Sequence, residues 1–414
     1  MIFYFRKKLS ILIILLFIVT APLFAQNNLI LVESVPEETV LGNEQIPRTQ
    51  TFWVNMIREA RSSIEMEIFY LSHQPGESLT PVIEELEEAA KRGVKIRILA
   101  DAKMARTYPE TLDRLNKIKN IQVRRIDYYN KLGGVMHAKY WILDGEAVFV
   151  GSQNVDWRAL TQIHELGVWI KSRIIAQIYQ HIFNIDWRLA GGEAPSELEK
   201  IIFPDSLKIT HQKPLTLLDE GRTIQVYPTF SPVRTSIEGM EWDEDALIRL
   251  IDQAEKSIQI QLLTYKPQSG ENYYAKLDQA LRRAAVRGVK VNIIVSNWNV
   301  RPKDLAHLKS LQAIPNLDIK ISSIPTHSRG HIPFARVEHC KLMVIDDQRL
   351  WLGSSNWSYS YFYTSRNVGL VFEDNETAKT VAEIFDKSWN APYSQILDLC
   401  KDYEMPDIAG PEGK

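Results

Sequence analysis

Cysteine is nearly missing from this 414-residue chain, which holds only Cys340 and Cys400. Two thiols give no disulfide framework, so stability has to come from buried apolar surface. There is no CxxC and no HExxH, which removes the commonest zinc patterns. His327 and His331 stand four apart, yet Gly330 and the surrounding "PTHSRGHIP" argue for a loop rather than a helical metal face. No metal and no cofactor are expected. An excess of one charge is lacking too: 49 Lys and Arg face 51 Asp and Glu, for a net charge of -2. No global field therefore draws polyanions, and any anion site must be local. Hydrophobic residues make up 45% and charged residues 24%, as in an ordinary globular chain long enough for two or three domains.

The long apolar run lies at the start. Arg6, Lys7 and Lys8 precede "LSILIILLFIVT" and "APLFAQ", the layout of a secretory signal peptide cut between Ala25 and Gln26. Leu23 suits the minus-three position poorly, so an uncleaved anchor is the alternative. Export is expected either way, to a periplasmic or secreted location or one tethered by this segment. Cleavage would leave the remainder more acidic by three charges.

What is present is said twice. "AAKRGVKIRILAD" (89 to 101) returns as "AAVRGVKVNIIVS" (284 to 296), and "SSIEMEIFYLS" (62 to 72) as "KSIQIQLLTYK" (256 to 266). "VMHAKYWILDGEAVFVGSQN" (135 to 154) is echoed by "VEHCKLMVIDDQRLWLGSSN" (337 to 356), after one small insertion. The helical segments "SLTPVIEELEEAAKRG" and "YYAKLDQALRRAAVRG" close on Gly93 and Gly288, which suit helix C-termini, and run straight into strands as in a βαβ unit. The reading is α/β: two tandem similar domains, 26 to 200 and 201 to 414, each a mixed sheet flanked by helices. "AGGEAPSE" (190 to 197) is the linker, and 201 to 235 hold an extra strand or loop. Two copies packed about a pseudo-two-fold axis would share one site at their interface, so a monomer suffices for one site and the oligomeric state stays open.

The echoed stretches share H-x-K-x4-D-x6-G-S-x-N. With Asp144-Gly145 as a two-residue turn, His137 faces Ser152, Lys139 faces Val150 and Asn154 follows; His339, Lys341, Ser354 and Asn356 repeat this. Each letter alone is weak, but one spacing kept in two diverged copies is not a packing coincidence. Lysines, asparagines and serines from both copies would hold one phosphoryl group between two imidazoles, one attacking and one protonating a leaving oxygen. That chemistry is a metal-free phosphodiesterase. Asp144 and Asp346 fall at the turns and read as structural, and Cys340 reads as a buried core thiol.

These motifs resemble the duplicated signatures of the phospholipase D superfamily. The resemblance covers most of the chain beyond the first segment. It is nearest to the branch of the lysosomal 5′ exonucleases named phospholipase D three and four, through "LVESVPEE", "GSQNVDWRALTQIHELGV", "NYYAKLDQALRRAA", "ARVEHCK" and "GSSNWSYSYF". It implies a phosphohistidine intermediate and, in that branch, attack on single-stranded DNA or RNA from the 5′ end. It also implies that a carboxylate near Glu165 holds a catalytic histidine. Glu165 lies 28 residues after His137, whereas the matching position after His339 is Asn367. Pairing Glu165 with His137 makes His137 the nucleophile and His339 the general acid, then base. His164 receives no role.

Trp157, Trp357, Tyr359, Tyr361, Phe362, Tyr273 and Tyr274 suit base stacking, and equally suit interface packing. The resemblance, rather than these rings, implies single-stranded nucleic acid as the expected partner. The alternative is a phospholipase D or transphosphatidylase acting on phospholipid headgroups. A binding module derived from a dead enzyme is disfavoured, because no motif residue is missing.

Overall fold

The computed structural model describes residues 28–198, 203–232, 239–269 and 272–409. The expected signal or anchor segment lies outside the described residues. Among them, no helix is long and apolar enough to cross a membrane.

The first half builds a seven-stranded sheet from β1 (Leu29–Ser34), β2 (Ser63–Ile68), β3 (Lys95–Asp101), β4 (Ile121–Ile126), β5 (Tyr140–Leu143), β6 (Ala147–Gly151) and β7 (Glu165–Lys171), in the order β1-β7-β6-β5-β2-β3-β4. β2, β3 and β4 run parallel, and β5 to β7 form an antiparallel meander beside them. The second half adds a hairpin, β8 (Leu215–Asp219) and β9 (Arg222–Ser231). It then repeats the plan with β10 (Ser257–Leu262), β11 (Lys290–Ser296), β12 (Leu317–Ser322), β13 (Leu342–Ile345), β14 (Arg349–Gly353), β15 (Asn367–Glu373) and β16 (Ser394–Ile396). The order β8-β9-β15-β14-β13-β10-β11-β12-β16 contains the first sheet's order, with β9 standing where β1 stands.

Helices α1 (Thr49–Glu59) and α2 (Thr80–Lys91) cover one face of the first sheet, closing over Ile64, Met66, Ile98, Trp141 and Phe149. The other face packs on α3 (Arg173–Ala190) and is continuous with the core of the second half, so one apolar cluster joins the two sheets. In the second half α4 (Asp243–Asp252), α5 (Lys276–Val286), the short α6 (Tyr359–Tyr363) and α7 (Asn375–Asn390) occupy corresponding places. Gly93 and Gly288, just past α2 and α5, have φ of +99° and +92°, a left-handed turn that only glycine makes without cost. Tyr273 precedes α5 rather than starting it, and pairs with Gln268 in a two-residue strand.

Both hairpins differ by one residue from the expected register. Leu143 pairs with Ala147 and Tyr140 with Val150, so the loop is Asp144, Gly145 and Glu146. The second pairs Ile345 with Arg349. The cause is the aspartate. Asp144 (φ +53°) and Gly145 (φ +65°) are both left-handed, and the Asp144 carboxylate accepts from the backbone N–H groups of Arg61, Ser62 and Ser63. Asp346 does the same with Glu255, Lys256 and Ser257. Each motif aspartate thus ties its hairpin to the start of the central strand. In consequence Lys139 O meets Gly151 N at 3.2 Å, and His137 does not face Ser152.

The insertion before the second hairpin clasps the first half. Arg336 donates to Glu37 O at 2.8 Å and Ser328 N–H to Glu38 at 2.8 Å. His327 lies in this loop against Glu37, while His331 is exposed. Cys340 is buried, and both cysteines are free.

Candidate active site

Each motif histidine leaves its own sheet just before β5 or β13 and is held by the opposite half. His137 N–H donates to Arg366 O and His339 N–H to His164 O, both at 2.9 Å. The parallel bridges Met136–Arg366 and Glu338–His164 complete this exchange. Because 366 and 164 immediately precede β15 and β7, the next residue of each strand is aimed at the foreign histidine.

Glu165 therefore does not touch His137. Its Oε2 lies 2.7 Å from Nδ1 of His339, and His137 Nδ1 lies 3.0 Å from Asn367 Oδ1. The expected pairing within one half is corrected: the partners are exchanged across the interface, and with them the reason for taking His137 as the nucleophile. Asn367 Nδ2 donates to Tyr361 O at 2.9 Å, which leaves its Oδ1 to accept from His137 Nδ1. Both imidazoles thus use Nδ1 on a partner from the opposite half.

The lysines lie beneath them. Lys139 Nζ donates to His137 O at 2.7 Å and Lys341 Nζ to His339 O at 2.5 Å, both side chains almost fully buried. Burial pulls Lys341 down to about 7 against the attraction of Glu165; burial and the charge of Lys341 pull Lys139 well down. Burial also pushes the Glu165 carboxyl up to about 8, against Lys341. His137 and His339 fall well below 6.5 through burial and the two lysines. Desolvated cations of this kind form a receptor for an anion that replaces the missing water.

Asn154 and Asn356 are buried; their Nδ2 groups are the donors an anion can use, while their Oδ1 atoms, which only accept, have no protein partner. The serines differ from expectation. Ser152 Oγ lies between Leu166 O (3.2 Å) and Leu166 N (3.1 Å), and Ser354 Oγ bonds Asn367 Oδ1 (3.1 Å) and Val368 N (3.1 Å). Their hydroxyls steady β7 and β15, and in the second half the histidine's partner, instead of facing a phosphate. The adjoining glycines are steric necessities: a Cβ on Gly151 would come within 2.9 Å of Gly167 Cα.

Of the aromatics, Trp357, Phe362 and Tyr274 are core. Tyr361 alone of those seven meets a motif histidine, edge-on to His137 at 5.0 Å. Phe69 was missed: its ring lies 4.8 Å from that of His137 and 5.2 Å from Lys139 Nζ. Its signal was positional, the first residue past β2, where the parallel strands open toward the site.

His164 and Arg366 occupy matching positions, and both are buried cations. His164 sits between Glu338 (2.5 Å) and Glu33 (3.1 Å); burial opposes its charge, but these carboxylates outweigh it and push its pKa up to about 10. Cys340 lies near enough to complete a metal-type trio with His164 and Glu338, yet both ring nitrogens are already engaged. Arg366 is held by Asp186 at 2.6 Å. These pairs lock the halves directly behind the histidines.

The model of the family described as "Cardiolipin synthase, PLD-like domain" matches residues 53–187 and again 247–389. The chain belongs to the phospholipase D family. It is an enzyme of the phosphodiester-hydrolase type. It is 31% identical to a Bos taurus protein named 5'-3' exonuclease PLD3 over 415 residues, covering 92% of this chain and 83% of the relative. It is 30% identical to a Mus musculus protein named 5'-3' exonuclease PLD4, over 90% and 81% of the two chains. Its fold is like that of phosphatidylserine synthase from Haemophilus influenzae Rd KW20, with a TM-score of 0.60, 13% identity, and coverage of 84% and 85%.

Proposed function

We propose that this phospholipase D family member is an exported 5′ exonuclease of single-stranded nucleic acid, working without a metal through a phosphate held covalently on histidine. The observation that supports the substrate is the likeness, along nine-tenths of the chain, to relatives named 5'-3' exonucleases. In this reading Lys139, Lys341, Asn154 and Asn356 receive the phosphoryl oxygens. The charge of the two lysines does the work a metal does elsewhere.

The exchanged partners assign the roles. The attacking ring becomes a phosphoimidazolium, and that new charge favours the ionised form of an adjoining carboxyl, a response an amide lacks; only His339 has such a partner, in Glu165. Nε2 of His339 attacks phosphorus, the P–O bond to the leaving strand breaks, and that oxygen takes a proton from His137. With only neutral Asn367 behind it, protonated His137 is the stronger acid of the two and gives its proton up readily. In the second step neutral His137 takes a proton from water, whose oxygen attacks phosphorus and frees His339.

The test sets 5′-hydroxyl single-stranded DNA against phosphatidylcholine with a primary alcohol, each with and without EDTA. Nucleotide release that survives EDTA is expected. Lipid turnover without nucleotide release would overturn the substrate, and strict metal dependence the mechanism.

A further inference from the structure

Helix α6 begins beside the motif and borders the candidate site. Its Tyr361 ring meets His137, and the Tyr361 hydroxyl accepts from Asn356 Nδ2 at 3.2 Å. The same helix carries Tyr359 and Tyr363 one turn apart, so their rings share a side. Those rings are parallel within 6° and 4.3 Å apart.

This pair is rigidly backed. The Tyr363 hydroxyl donates to Glu244 Oε2 at 2.9 Å, and the same buried carboxylate takes the Tyr274 hydroxyl and the Lys276 ammonium. Trp242 closes on Tyr363 edge-on at 5.0 Å, and Tyr274 meets Tyr359 edge-on at 6.0 Å. Lys276 Nζ stands 5.4 Å over the Tyr363 ring. Tyr359 is the outermost member and is 39% exposed. A ring already anchored on one face loses little freedom when its other face takes a flat partner.

The first half does not repeat this device. There the helix after Asn154 is Trp157–Thr161, "WRALT", where the second half has "YSYFY". Filling space does not require an exposed tyrosine. A single strand has polarity and leaves a two-fold site on one side only, which suits a platform on one half alone.

We propose that Tyr359 is a stacking platform for a base of the single strand leaving the His137–His339 site, with Tyr363, Tyr274 and Glu244 as its fixed backing. This rests on the nucleic-acid reading above and adds where the strand runs. The experiment compares wild type, Tyr359→Ala and Tyr359→Phe on a 5′-hydroxyl DNA strand of about 20 nucleotides and on bis(p-nitrophenyl) phosphate, with thermal midpoints measured alongside. Tyr359→Ala should raise KM for the strand by about ten-fold. It should leave the small ester and the midpoint unchanged, and Tyr359→Phe should behave as wild type. An unchanged KM for Tyr359→Ala on a strand that wild type cleaves would overturn the platform and leave the nuclease reading standing. Equal loss on the small ester would also overturn it, by making Tyr359 part of the reaction centre or of the fold. A wild type that hydrolyses the small ester but not the strand would overturn both readings.

Discussion

Glu165 reaches out of its own half to His339, at 2.7 Å, while His137 is held by Asn367 at 3.0 Å. The two halves therefore hold one another's histidines, and the difference between carboxylate and amide separates two otherwise similar sites.

Glu165→Gln keeps the side chain's shape and removes its charge. It is expected to lower kcat by about 10- to 100-fold, the usual cost of losing a partner that orients a reacting imidazole. His137→Ala should let phosphate accumulate on the peptide carrying His339. Mass spectrometry of acid-sensitive phosphopeptides checks this, and phosphate found on His137 in a His339→Ala protein would reverse the roles.

Lys341 sets the alkaline side of the pH profile. Burial pulls its pKa down to about 7, so the free enzyme loses this cation as pH climbs through neutrality, and with it the attraction for phosphate. The attacking His339 needs no alkali to be unprotonated, since it lies well below 6.5, and His137, also pulled well below 6.5, needs acid to hold the proton it gives the leaving oxygen. kcat/KM, which reports the free enzyme, should thus be highest on the acid side of 7 and fall with a midpoint near 7. Lys341→Arg should lower the plateau and carry the alkaline limb beyond about pH 9, because guanidinium stays charged. A kcat/KM that rises steadily to pH 9 in the wild type would contradict this.

His164 makes stability depend on pH in a definite direction. Its folded pKa, about 10, exceeds the ordinary 6.5, so its contribution is complete below 6.5 and is lost as pH rises through 10. His164→Gln leaves Glu338 and Glu33 buried beside a neutral group and should cost about 3–5 kcal/mol. Denaturant melts between pH 6 and 10 should show the wild type losing stability and the variant lying lower with a flatter slope.

Asp346→Ala removes the acceptor for three backbone N–H groups. A loss of about 1–3 kcal/mol is expected, with kcat per folded molecule nearly unchanged, since this carboxylate lies at the hairpin's far end. A fall in kcat larger than about ten-fold at full folding would give Asp346 a chemical role beyond its anchoring one.

The sequence made much of this legible because much of it is local. The helix-to-strand junctions at Gly93 and Gly288 follow from 3.6-residue periodicity and one left-handed residue. The hairpins were legible as hairpins, though their register was not: the Asp144 carboxylate binds residues some eighty positions earlier, a contact no turn rule contains. Ser152 and Ser354 were misread for a related reason. A hydroxyl's partner depends on the backbone beside it, here Leu166 and Val368 on the neighbouring strand.

By itself the sequence determined that there are two copies and that each carries His, Lys and Asn at one spacing, hence that the chemistry concerns phosphate. Duplication and spacing are properties of the linear chain. Only the tertiary structure decided which residue serves which histidine. His339 and Glu165 are separated by 174 positions and meet because each motif strand crosses into the other half just before its own sheet begins. Two halves packed about an approximate two-fold axis could pair such residues within a half or between halves with the same local pattern. The buried cations His164 and Arg366, each tied to acids of the fold, select the exchanged arrangement.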